Sequence, residues 1–136
     1  MDWNFVYYFG RFFDWYGECM TDLIVFLGEG KGTWGHVLKV VEDSQFSKIY
    51  VITQEFFKDK ITIQKEHEKI VLNAEKPLSE LISELKKYFQ DKLFGDIAVN
   101  MFSGTGKEHM ALLSALLQVG AGVRLIALTQ DGVKEV

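Results

Sequence analysis

The sequence is poor in the residues from which many sites are built. Of 136 residues, one is cysteine, one is proline and three are histidine. A single thiol, Cys19, excludes an internal disulfide framework and any zinc site of several cysteines. The cytoplasm is the compartment expected for such a chain. His36, His67 and His109 lack metal-ligand spacing, so no metal ion is expected. No apolar run reaches the roughly 18 residues of a spanning helix, so no membrane span is expected. Positive charge is not in excess either: 15 basic against 19 acidic residues leave a net charge of -4. That balance argues against extensive nucleic-acid binding, although a local basic patch is compatible with it. Neither a G-x-S-x-G elbow nor a catalytic pair of carboxylates is found.

What is present is core material. Hydrophobic residues make up 48% of the chain, which suits one domain and excludes general disorder. Residues 1–19 stand apart, with Trp3, Phe5, Tyr7, Tyr8, Phe9, Phe12, Phe13, Trp15 and Tyr16 crowded together. Asp2, Arg11 and Asp14 interrupt them, against a signal peptide. The segment reads as an aromatic extension, either a docking arm or a stretch upstream of a start at Met20. A lone Arg11 makes a poor basic face for a membrane surface. The domain proper is expected over residues 20–136.

Short apolar runs alternate with helical stripes along that domain. Residues 22–27, 48–53, 96–100 and 123–128 read as strands buried on both faces. Trp34, Val37, Leu38 and Val41 make one amphipathic stripe. Leu78, Leu81, Ile82, Leu85, Tyr88 and Phe89 make a second, opened by Pro77. Residues 107–119 form a helix apolar nearly all round, which needs cover on more than one side. Residues 54–76 are ambiguous, with short strands possible at 61–63 and 70–72; the charge at 65–69 reads as a solvated face. The order predicts an α/β fold, a Rossmann-like three-layer sandwich with a mainly parallel sheet and right-handed crossovers.

In an open parallel sheet, ligands bind beyond the carboxyl ends of the strands. Two glycine-rich loops leave such ends and enter helices, whose free amides and dipole favour anions. The first contains Gly30-Lys31-Gly32-Thr33-Trp34-Gly35, a literal G-x-G-x-x-G between a strand and a helix. Glu55 lies twenty residues further on, where a ribose-binding acid is placed in dinucleotide sites. An NAD- or NADP-binding protein is therefore one alternative; a tight turn with Thr33 as helix cap is the plainer one. The second loop ends in Gly106-Lys107-Glu108. It is not a P-loop, because Met101 stands where glycine is required and Glu108 replaces the magnesium-binding hydroxyl.

The stretch Ala98-Val99-Asn100-Met101-Phe102-Ser103-Gly104-Thr105-Gly106-Lys107-Glu108-His109-Met110-Ala111 resembles the signature of the CRISPR-associated Rossmann-fold (CARF) domains. In that family a late strand ends in Asp or Asn. A Thr/Ser-Gly-Gly-Thr-Lys-like loop follows, then an apolar helix, a glycine and a final strand. Asn100, Ser103, Gly104, Lys107, Gly120 and the strand from Val123 fit in order; Thr105-Gly106 departs from the usual Gly-Thr. The resemblance covers about forty residues. It implies a homodimer that senses a cyclic oligoadenylate, or another phosphate-rich small molecule, in antiviral defence. It implies no cofactor. Some members cleave the ring without a metal, through a ribose 2′-hydroxyl. Ending at residue 136, the chain is expected to be a stand-alone sensor, a ring nuclease or a subunit of a larger complex.

The candidate ligand residues are then Gly30, Lys31, Gly32 and Thr33 from the first loop, and Asn100, Ser103, Gly104, Thr105, Gly106 and Lys107 from the second. Lys107 is the candidate for charge stabilisation in any cleavage; otherwise it is an exposed first-turn lysine. Asn100 either reads a base or ribose or holds the loop, and Ser103 and Thr105 either meet phosphate or cap the helix. His109 is either an acid–base group or a surface histidine. A non-catalytic interaction subunit is the remaining alternative.

Overall fold

The computed structural model describes residues 21–93 and 95–136, apart from the Lys31 side chain; the aromatic extension and Cys19 lie outside the described residues. Strands and helices alternate as β1 (Thr21–Leu27), α1 (Trp34–Glu42), β2 (Phe46–Gln54), β3 (Glu68–Leu72), α2 (Leu78–Phe89), β4 (Asp96–Asn100), α3 (Gly106–Gln118), β5 (Gly122–Thr129) and β6 (Gly132–Glu135). They build one six-stranded sheet in the order β3-β2-β1-β4-β5-β6. The first five strands pair in parallel and β6 pairs antiparallel with β5. This is an α/β fold with a mainly parallel sheet.

Alternation along the central strands explains why both faces are covered. Ile24 and Phe26 of β1 face a core shared with Leu81, Leu85 and Phe89 of α2 and Ala111, Leu112, Ala115 and Leu116 of α3. Leu23, Val25 and Leu27 face the other way, onto Val37, Val40 and Val41 of α1. A continuous apolar run is therefore needed in β1, where a strand covered on one face would alternate with polar residues. The helix spacings match this: Leu81, Leu85 and Phe89 recur every four residues along α2, and so stack on one side.

Two features differ from the sequence expectation. Residues 70–72 do belong to a strand, β3, in register with the end of β2, but residues 61–63 do not. Ile61 and Ile63 instead pack on the α1 face of the sheet. Lys65, read as part of a solvated charged face, anchors this segment: its ammonium donates to the carbonyls of Val41, Asp43 and Phe46 at 3.2, 3.1 and 3.0 Å. The second difference is β6, since residues 123–128 read as the last strand. A tight turn adds another, with Gly132 at φ +107 and the Thr129 hydroxyl donating to the Gly132 carbonyl. A four-residue strand with one large apolar side chain carries too weak a pattern to be read locally.

The chain leaves β1 through α1 toward β2 on one face. It returns through α2 and α3 to β4 and β5 on the other. Connections therefore diverge between the adjacent strands β1 and β4, and a sheet of this kind opens a crevice at that switch point.

Candidate functional site

Both glycine loops leave the sheet at this switch point, and the structure binds them to each other. The buried Ser103 hydroxyl accepts from the Gly28 amide at 3.2 Å and donates to the Glu29 carbonyl at 3.3 Å. The Gly104 amide donates to the same carbonyl. Gly104 stands at φ +95, and a Cβ there would lie 3.3 Å from Phe26 Cβ and 3.2 Å from His109 Nε2. Glycine is thus required both by backbone conformation and by close approach. A carbonyl can only accept, so the 2.7 Å contact between His109 Nε2 and the Ser103 carbonyl fixes the proton on Nε2. His109, edge-on to Phe26, positions this loop.

Asn100 ends β4 beside Val25 of β1. It is buried, and its polar atoms are engaged within the chain. The amide nitrogen donates to the Ile126 carbonyl at 2.8 Å and to His36 Nε2 at 3.0 Å, while its oxygen accepts from the Phe102 amide. Of its two candidate roles, holding the loop is the one these contacts serve. His36 Nε2 also accepts from the Leu128 amide at 3.3 Å. That donor leaves Nε2 unprotonated and the neutral ring's proton on Nδ1. Burial holds the His36 pKa below its ordinary value, in keeping with a neutral acceptor. The imidazole lies flat against Phe102, with centroids 3.8 Å apart and planes within 4°. Nothing in the helix stripe at residues 34–41 marks His36, because its hydrogen-bond partners lie on β4 and β5.

The start of α3 is closed by a capping box. The Thr105 hydroxyl accepts from the Glu108 amide, and the Glu108 carboxylate accepts from the Thr105 amide. Glu108 is buried and also accepts from the Gln54 side chain at 3.2 Å. Thr105 therefore caps the helix. The amides of Gly106 and Lys107 belong to the first turn, which has no intrahelical acceptors. The Lys107 side chain is exposed and its ammonium donates to the Ala74 carbonyl at 2.9 Å. It points along the carboxyl edge toward β3, away from the closed β1–β4 loop pair.

The first loop contains the G-x-G-x-x-G spacing without the packing that gives it meaning. Gly30 has φ +89, but a Cβ on Gly32 or Gly35 would meet nothing within 4 Å. In a dinucleotide fingerprint, the later glycines permit close pyrophosphate and helix–strand approach. The Thr33 amide and hydroxyl both donate to the Gly30 carbonyl, closing a tight turn, and the Trp34 indole donates to the Gly28 carbonyl at 2.9 Å. Glu55 lies just beyond β2, mostly exposed and paired with Lys58 at 2.6 Å.

An open cleft of about 830 Å³ lies at the carboxyl ends of β2 and β3. Its walls include Phe56, Val71, Asn73 and Ala74, with Glu55, Glu75 and Glu84 among its charged groups. Lys76 stands in it paired with Glu84. No sequence pattern marks this cleft, because the residues of β3 and of the turn at 55–60 carry no clear period. The Lys107 contact with Ala74 places that cation at its border.

The chain matches no family model, no curated protein and no solved structure.

Proposed function

We propose that the chain is a cytoplasmic, Rossmann-like nucleotide sensor of CARF type, which binds a cyclic oligoadenylate across a homodimer at the carboxyl edge of its sheet. The observation that carries this reading is the built second loop. Ser103 and Gly104 are fastened to the loop that leaves β1 at the switch point, and the chain then enters a 13-residue helix whose first turn carries Lys107. Free first-turn amides and a nearby cation suit a phosphate. An exposed lysine held by one carbonyl can exchange that contact for a ligand oxygen. The open space around Gly32 and Gly35 weighs against the dinucleotide alternative.

The dimer is supported by α3. Its inner face is buried, yet Met110 and Leu117 are 60% and 69% exposed. With Leu113 they recur at i, i+3 and i+7, forming one apolar stripe on the side of the domain that also exposes Leu125. In a ring-nuclease version, a ribose 2′-hydroxyl loses its proton to water as its oxygen attacks the adjacent phosphorus, and the 5′-oxygen leaves and takes up a proton from water, giving a linear product with 2′,3′-cyclic phosphate and 5′-hydroxyl ends. Lys107 then stabilises the charge gathered on the phosphoryl oxygens.

Calorimetric titration with cyclic tetra- and hexa-adenylate, with NAD and NADP in parallel, tests the reading. One ring per two chains is expected. Lys107→Ala is expected to weaken binding by about tenfold or more, the range for a charge-assisted contact. Linear products on chromatography would establish cleavage. Binding of NAD or NADP alone would move the site to the first loop. Binding of none would favour an interaction subunit.

A further inference from the structure

We infer that Phe102 is a stacking platform for one adenine of the ligand, with His36 as its backing. This rests on the nucleotide-sensor reading and adds a residue that the loop signature does not assign. Phe102 is 55% exposed although it sits in the loop that leaves a central strand. One face of its ring is covered by the parallel imidazole at 3.8 Å, and the substantial exposure of the side chain leaves area for a second ring. The arrangement is held from behind. The Asn100 amide and the Leu128 amide both donate to His36 Nε2, which fixes the imidazole, and the Phe102 amide donates to Asn100. An aromatic ring immobilised in this way loses little conformational freedom when a base stacks on it. Stacking on Phe tolerates any base, so selectivity for adenine must come from other contacts.

A ligand stacked on Phe102 would reach across the carboxyl edge to the start of α3, because His36 belongs to α1 on one face of the sheet and α3 packs on the other. Phe102 directly precedes Ser103 and Gly104 at the switch point, and the phosphate-favouring first turn of α3 begins four residues further on. His36 acts through Phe102 and is a positioning residue.

The test compares wild type, Phe102→Leu and Phe102→Trp, titrated with cyclic tetra- and hexa-adenylate, with the oligomeric state of each followed by light scattering. Loss of one base–aromatic stack is expected to weaken binding by roughly five- to hundredfold in Phe102→Leu. Phe102→Trp is expected to retain affinity and to lose indole fluorescence as ligand is added. Equal affinity of wild type and Phe102→Leu overturns the platform and leaves the sensor reading standing. Conversion of Phe102→Leu to a monomer overturns it in favour of a subunit contact. No binding of either ring by wild type removes the sensor reading and the platform with it.

Discussion

His36 shows how much a single side chain can hold at the carboxyl edge. Its Nε2 accepts from two elements, and its ring supports a third residue. Protonation would place a hydrogen where two N–H donors already point. Burial lowers its folded pKa below the 6.5 of the free side chain. The unfolded chain therefore takes up the proton first as the pH falls, so stability rises with pH across that interval. The contribution is complete above about pH 6.5 and shrinks below it, levelling off beneath the folded value. Wild type is accordingly expected to lose more thermal stability than His36→Gln between about pH 7 and about pH 5. In that variant a side-chain carbonyl can still accept from Leu128. Parallel melting profiles for the two proteins would disprove the role. None of this was legible from residues 34–41, where His36 is one polar position on a helix stripe. By contrast, the need for glycine at 104 was partly legible, because a strand must turn sharply there to enter α3.

At the scale of elements, α3 carries its own start signal in Thr105-Gly106-Lys107-Glu108, a capping-box sequence of Thr with Glu three residues later. Capping is one of the two roles the sequence offers Thr105, and both reciprocal bonds are present. Glu108 stands in the sequence only as a departure from a phosphate loop. In the fold, Glu108 ties the helix start to the end of β2 through Gln54, which no local pattern encodes. Thr105→Ala removes an acceptor and a donor together. It is expected to destabilise the protein by about 1–2 kcal/mol in urea unfolding, with Thr105→Ser close to wild type. Stability of the alanine variant equal to wild type would mean that the capping box does not set the helix start. β3, open between strand and connection at residues 70–72, and β6, absent from the local pattern, are hard to read for the same physical reason. β3 and β6 are short edge-region strands with few buried residues, so their stability comes from pairing with a neighbour rather than from their own composition.

At the scale of the whole molecule, the sheet order sets where the proposed ligand would meet the chain, and α3 carries the face proposed for a second subunit. An apolar helix between strands reads as an element with cover on several sides. Here α2 and the sheet cover part of it, and Met110 and Leu117 remain exposed. Under the dimer proposal, charge at this stripe separates the subunits without disturbing either core. Leu117→Glu is therefore expected to shift wild-type dimers to monomers in light scattering, with the fold retained by circular dichroism. A wild-type monomer at high concentration would remove this face as the subunit contact.

The α/β class is written into the residues, because burial imprints its period on each segment. Continuous apolar runs gave the central strands, i, i+3 and i+4 stripes gave the helices, and glycines marked the loops at the strand ends. Folding alone lets Ser103 close the two glycine loops, Lys107 reach Ala74, and Asn100 and Leu128 converge on His36. The last two partners lie 64 and 92 residues from His36. Contacts over such separations depend on strand order and crossover direction, and side-chain hydrogen bonds of this kind leave no periodic trace in the chain that makes them.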